Sequence, residues 1–312
     1  MPRVSTIIPA YNAARYVGAA IESALAQTYT DNEIIVVDDG SSDDTPRVLE
    51  SYGSRITFLR QPNAGVSAAR NKALSVASGE LIAYLDADDM WHPEKLEKQV
   101  EFLDAHPRCG IVHTDVDVID AEGRVVTPAF NRTTGREVPS GRCMMDLLRR
   151  SHVQLLTVMA RHEAVRAAGG FDERLTGGED YCQWILISMD GWEVGYLDEP
   201  LAMYRWSPGS LSSNEKRMRA ELIRLFEILL REKPLAARFG ADAVSIVTER
   251  LYETGRELAY LERSEGDLAA ARRRLARLIA QFPFRRRLYT DLLRSCVPRS
   301  VVSRARGLAR QA

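Results

Sequence analysis

The residues best equipped for chemistry in this 312-residue chain are aspartates, clustered after short apolar, β-branched runs. Asp38-Asp39-Gly40-Ser41-Ser42-Asp43 follows the run 33–37, and Asp86-Ala87-Asp88-Asp89 follows the run 81–85. A third run, 4–9, closes on Pro9-Ala10-Tyr11-Asn12. If these runs are neighbouring strands of one sheet, their carboxyl ends share a rim, and at least five carboxylates converge there. Uncompensated, such groups repel and raise one another's pKa. A hard divalent cation with oxygen ligands resolves this, and with no His or Cys in either cluster, Mg²⁺ or Mn²⁺ fits better than zinc. A lone aspartate at a strand end commonly just caps the next helix; two clusters on alternate strands are harder to explain that way. Neither GxxxxGK[ST] nor GxGxxG follows the first strand, which excludes a P-loop ATPase and a dinucleotide dehydrogenase. Phosphates bridged to carboxylates by a cation would let an anionic ligand bind this acidic rim.

The elements that must position these residues alternate. Strand patterns at 4–9, 33–37, 56–60 and 81–85 interleave with helical patterns at 13–27, 43–52, 67–77 and 93–106. That rhythm predicts an α/β fold, a mostly parallel sheet with helices on both faces. From about residue 110 it turns irregular. Strands are expected at 111–119 and 124–127, a polar loop at 131–141, and an apolar run at 155–160. A short helix at 161–168 ends at Gly169-Gly170, a helix follows at 179–189, and strands at 193–197 and 202–205 close the region. After Ser213 the chain reads as helical, at 215–232, 242–263 and 267–281, so a first domain of 1–212 precedes a helical subdomain of 213–312. Residues 255–283 resemble one helical-hairpin repeat without a second copy.

With 45% hydrophobic and 27% charged residues the composition is that of a soluble globular chain. No apolar stretch reaches the roughly 18 residues of a membrane span, and the first residues run straight into a strand pattern rather than a secretory signal. Four scattered cysteines fit a reducing cytoplasm. The net charge of −1 hides an asymmetry: from Arg272 to the end there are twelve arginines against Asp291 alone. An acidic body argues against a nucleic-acid partner. The basic tail points to an anionic membrane surface, and so to a cytoplasmic protein peripheral at the inner face of the membrane.

Taken together, PAYN, VVDDGSSDDT, QPNAGVSAARN, YLDADD, GGFDE and GGED at these spacings resemble glycosyltransferase family 2 over residues 1 to about 212. The resemblance implies a GT-A type fold, Rossmann-like, and an inverting enzyme that uses a nucleotide-sugar donor. By that likeness Pro9, Tyr11 and Asp39 form the nucleobase pocket, with Asp39 accepting from an imide N–H, which favours UDP- or dTDP-linked donors. Asn63, Gly65 and Arg70 match the segment closing over the nucleotide, Arg70 meeting base or diphosphate. Asp86 and Asp88 form the DxD-like element, with Asp88 or Asp89 on the Mn²⁺ or Mg²⁺ ion. Glu179 and Asp180 match the pair that carries the catalytic base, Asp180. A helix N-terminus there favours its ionised form, and a carboxylate in reach of an acceptor hydroxyl removes its proton.

One departure stands out. Where many relatives carry Tyr-Arg-x-His, this chain has Tyr204-Arg205-Trp206-Ser207. Arg205 is left to neutralise the leaving diphosphate. The QxxRW of processive synthases is missing, so transfer of one or few sugars is expected. The acceptor implied is a glycan or lipid-linked intermediate of cell-envelope polysaccharide synthesis. Two other classes stay open: a sugar-nucleotidyltransferase, which needs a glycine-rich basic loop that PAYN lacks, and a non-catalytic nucleotide-sugar-binding scaffold, which the presence of Asp88 and Asp180 disfavours.

Overall fold

A computed structural model of the chain describes residues 2–206 and 214–296. Ser207 and the arginines at 299, 304, 306 and 310 lie outside the described residues. The chain divides into two compact units, 1–213 and 214–312.

Among the described residues the first unit is built on nine strands: β1 (Val4–Ala10), β2 (Asn32–Asp38), β3 (Thr57–Arg60), β4 (Leu81–Tyr84), β5 (Met90–Trp91), β6 (Cys109–Ile119), β7 (Val125–Thr127), β8 (Met159–Arg161) and β9 (Glu193–Arg205). They form one sheet in the order β3-β2-β1-β4-β8-β6-β9-β5, with β7 on β6. The parallel rhythm holds for β3-β2-β1-β4. There the runs are continuously apolar because both faces are covered: all seven residues of β1 and all four of β4 are buried. Beyond β4 the sheet is mixed, since β8 runs antiparallel to β4 and β6 while β6 and β9 are parallel. The two strands expected at 193–197 and 202–205 are one strand, β9, whose pairing with β6 shifts register around Thr114 and Asp115.

Chain order reverses between β1 and β4, so the ends of β1, β2 and β4 open on one crevice. Short bonds tie these ends together. Asp39 N–H donates to the Ala10 carbonyl at 2.8 Å, Asn12 N–H to Ser41 Oγ at 2.9 Å, and Leu85 N–H to the Ile7 carbonyl at 3.1 Å. The second unit is helical, with helices Glu215–Glu232, Leu235–Ser264, Leu268–Gln281 and Arg286–Cys296. Its hairpin is the one anticipated at 255–283. Gly266, at φ 95°, makes the turn, Asp267 caps the next helix by accepting from Ala270 N–H, and Gly255 leaves room for Leu278.

The approach of β1 to β4 rests on Gly79, whose N–H donates to Ser5 Oγ at 2.8 Å. A Cβ there would lie 2.7 Å from Ser5 N and 2.8 Å from Val4 C. Both are backbone atoms of the central strand or its start. Gly79→Ala is therefore expected to cost about 1–3 kcal/mol, as overpacking does, read from the urea midpoint; an unchanged midpoint would contradict this packing.

Candidate active site

The site grows from one helix, Val66–Leu74. Its N-terminus is set by Gly65, at φ 95°, a conformation suited to glycine. Asp39 holds the loop before it: Oδ1 accepts from Gln61 Nε2 at 2.8 Å and Ala64 N–H at 2.9 Å, and Oδ2 from Gly65 N–H at 2.8 Å. Asp38, wholly buried, accepts from Ser41 N–H and pairs with Arg60 at 2.9 Å. The aspartates after β2 thus fold their own loops.

Arg70 projects from the helix into the protein and is 4% exposed. Its Nη2 donates to Asp86 Oδ1 at 2.7 Å and its Nη1 to Glu179 Oε1 at 2.6 Å, and the guanidinium lies over the Phe171 ring. Sequence reasoning placed this arginine against the nucleotide; instead both terminal nitrogens are committed to carboxylates from two other elements. The next residue docks the same helix. Asn71 Nδ2 donates to the Phe171 carbonyl at 2.9 Å, and Phe171 N–H donates back to Asn71 Oδ1 at 2.9 Å. AARN and GGFDE are therefore the two sides of one contact, a link invisible in either motif alone. Glycine is needed at 170, where φ is 73° and a Cβ would sit 2.8 Å from Asn71 Oδ1.

Asp180 lies in the first turn of the helix Glu179–Met189, which starts after Gly178 at φ 73°. Tyr181 N–H donates to its Oδ1 at 2.7 Å. The helix N-terminus was expected to favour its charge, but burial and the neighbouring Glu179 outweigh that and Arg70's attraction, pushing Asp180 up to about 7. Burial, and Asp86 second, push Asp88 up to about 6. Asp89 is raised well above the ordinary range by burial and by Asp88. Five carboxylates thus share this rim (Asp86, Asp88, Asp89, Glu179, Asp180), with Arg70 set among them.

Arg205 comes from the end of β9. Its N–H donates to Asp89 Oδ1 at 2.7 Å, its Nε to the Asp88 carbonyl at 2.7 Å, and its Nη1 to the Asp120 carbonyl at 2.7 Å. Expected on the diphosphate, it is 4% exposed and latches the Asp86–Asp89 turn from behind. Asp89 is 2% exposed. Asp88 is half-buried and keeps an open side. Tyr11, just after β1, is 53% exposed, while Pro9 is buried in β1 opposite Val37 and Asn63 is exposed in the loop held by Asp39.

Among the described residues no three His, Cys, Asp or Glu side chains form a ready-made metal cage. A hard cation that takes one or two carboxylates and completes its shell with water and phosphate oxygens fits these donors, since the raised Asp88 is short of positive charge.

Comparison with known proteins agrees with this architecture. The sequence model described as Glycosyl transferase family 2 matches residues 5–152. TuaG of Bacillus subtilis, whose name places it in teichuronic acid biosynthesis, is 32% identical over 219 residues, covering 69% of this chain and 83% of TuaG. Chondroitin synthase of Escherichia coli is 32% identical over 198 residues, covering 62% of this chain but 27% of that protein. In structure the chain is similar to Staphylococcus aureus TarS 1–349 in complex with UDP-GlcNAc, with a TM-score of 0.60 at 20% identity over 89% of this chain and 80% of that one. It is also similar to the Pyrobaculum calidifontis mannosyltransferase PcManGT in complex with GDP-Man and Mn²⁺, at a TM-score of 0.57 and 20% identity over 95% of this chain and 84% of that one. The fold is of the GT-A type.

Two outcomes follow from the electrostatics. Arg70→Met leaves Glu179 buried without its cation, and is expected to cost about 3–5 kcal/mol. Adding Glu179→Gln should recover part of that loss in a double-mutant cycle; additive losses would mean the pair is not coupled. Between the ordinary aspartate pKa and about 6, folded Asp88 holds a proton that the unfolded chain has released, so its contribution to stability falls as pH rises through that window. In chelator, Asp88→Asn should therefore be more stable than wild type at pH 8, by about 1–2 kcal/mol, with the gain shrinking toward pH 4. A less stable variant at pH 8 would refute the charge excess.

Proposed function

The chain belongs to glycosyltransferase family 2, and on that premise we propose that it moves a sugar from a UDP- or dTDP-linked donor, with inversion, onto a glycan or lipid-linked acceptor in polysaccharide synthesis. The observation that carries this reading is the placement of Asp180, a carboxylate raised to about 7, on the same rim as Asp88 and Asp86. A general base works best when its pKa lies near the operating pH, because it is then both ionised and proton-seeking. Asp180 takes the acceptor hydroxyl's proton as the oxygen attacks the anomeric carbon on the face opposite the diphosphate. Glu179, held by Arg70, keeps the helix that bears Asp180 in place, and Tyr181 N–H fixes one oxygen of the base.

In this reading Tyr11, 53% exposed, stacks on the nucleobase, and Asp39 accepts from its imide N–H while also holding the loop of Gln61, Ala64 and Gly65. Asp88, with its open side, and Asp86 beside it are the residues that would hold Mn²⁺ or Mg²⁺; Asp89, turned onto Arg205 N–H, is a brace for them. The ion, when bound, supplies the positive charge that a leaving diphosphate requires. The reading draws support from the UDP-GlcNAc complex of TarS and the Mn²⁺ complex of PcManGT, and the class of acceptor from the naming of TuaG.

A panel of nucleotide sugars, screened by calorimetry with and without Mn²⁺, identifies the donor; transfer or hydrolysis is then followed with the best one. Asp180→Asn is expected to keep donor affinity while kcat falls by about 10²–10⁴, the size of a lost general base. Asp88→Ala is expected to weaken donor binding in Mn²⁺ and to abolish turnover. An Asp180→Asn enzyme with wild-type kcat removes the base from the mechanism, and an Asp88→Ala enzyme with wild-type affinity removes the metal ligand.

A further inference from the structure

Within the described residues the second unit ends in the helices Leu268–Gln281 and Arg286–Cys296. The inner faces pack normally: Leu275, Leu278 and Leu288 are buried with Tyr252 and Ala259. The outer face does not follow the usual pattern of polar residues alone. Phe284, in the turn between the helices, is 95% exposed, Leu293 is 69% exposed, and Tyr289 is 44% exposed. At 3.6 residues per turn, Arg286, Tyr289 and Leu293 fall on one stripe, while Arg287 and Arg294 lie about a quarter-turn round the helix from Arg286, on the flank between the stripe and the buried face.

The charges on this surface are of two kinds. Arg285 pairs with Glu249, Arg294 with Asp291, and Arg274 with Glu262. Arg273, Arg277, Arg286 and Arg287 have no ion-pair partner among the described residues. Free guanidiniums beside protruding aromatic and leucine side chains are what a lipid–water interface accommodates: the apolar tips enter the headgroup boundary while the cations meet phosphates. A second copy of this chain would bring the same positive stripe and be repelled. A nucleic acid would match the cations but leave Phe284 and Leu293 without an apolar partner. Charge complementarity and apolar tips together favour an anionic bilayer.

We propose that the outer stripe of Arg286–Cys296, with Phe284 in the preceding turn, seats reversibly on an anionic lipid surface. The stripe lies apart from the rim that carries Asp180 in sequence and in unit, and the proposal does not rest on the glycosyl-transfer reading. It replaces a diffuse basic tail with five named positions: Phe284, Arg286, Arg287, Tyr289 and Leu293.

The test is co-sedimentation of the full chain with phosphatidylcholine vesicles, with and without phosphatidylglycerol, at moderate salt. Wild type is expected to pellet with the anionic vesicles only, and less as salt rises. Arg286→Glu/Arg287→Glu should lower the partition coefficient by about tenfold or more, and Phe284→Ser/Leu293→Ser by about tenfold. Independently, Phe284→Trp should give a blue-shifted emission on adding anionic vesicles, a readout that leaves the stripe's charge intact. Equal binding to neutral vesicles, no binding by the full chain, or wild-type binding by both double variants would overturn the proposal. So would a dimer in vesicle-free sedimentation that Phe284→Ser/Leu293→Ser dissociates.

Discussion

One buried guanidinium organises the catalytic unit. Arg70 reaches Asp86 at the end of β4 with one nitrogen and Glu179 at the start of the helix Glu179–Met189 with another. These acids belong to the two halves of the rim, the Asp86–Asp89 turn and the turn that bears Asp180. An arginine suits this task because its planar fork bonds two carboxylates in fixed directions, where a lysine would act as a point charge. Its helix is fixed from both ends. Asp39 ties down the loop that starts it, and Asn71 exchanges two hydrogen bonds with Phe171. The loop held by Asp39, the Asp86–Asp89 turn and the turn that bears Asp180 thus depend on nine residues of helix.

The second constraint is electrostatic. Five carboxylates with Arg70 among them leave the rim short of positive charge, and Arg205 gives its side-chain bonds to carbonyls rather than to carboxylates. Burial without full pairing lifts Asp88 and Asp180 toward neutrality. Such raised carboxylates are the arrangement expected where pKa values are tuned for chemistry.

Much of this was legible in the sequence. The runs at β1, β2 and β4 are continuously apolar because both sheet faces are covered, so their type and order could be read directly, and the rim positions of Tyr11, Asp39, Asp86 and Asp88 followed from parallel topology. What local pattern cannot encode is which distant partner a side chain finds. The family likeness carries Arg70 to the base or diphosphate and Arg205 to the diphosphate; their partners in the fold lie 16 to 117 residues away in the chain. At Asp180 the helix dipole is visible in sequence and the burial that opposes it is not. Beyond β4, the mixed pairing of β6, β8 and β9 escaped because short runs such as 159–161 carry no directional signal.

The account's central claim is that Arg70 stays with Asp86 and Glu179 as a brace while Asp88 and Asp180 face the donor and the acceptor. A crystal structure with Mn²⁺ and the nucleotide sugar that the panel identifies tests it directly. The account predicts the ion on Asp88, the sugar's anomeric carbon turned toward Asp180, and both Arg70 bonds kept. Density showing Arg70 released from its carboxylates and bonded to the diphosphate, or the sugar turned away from Asp180, would contradict it.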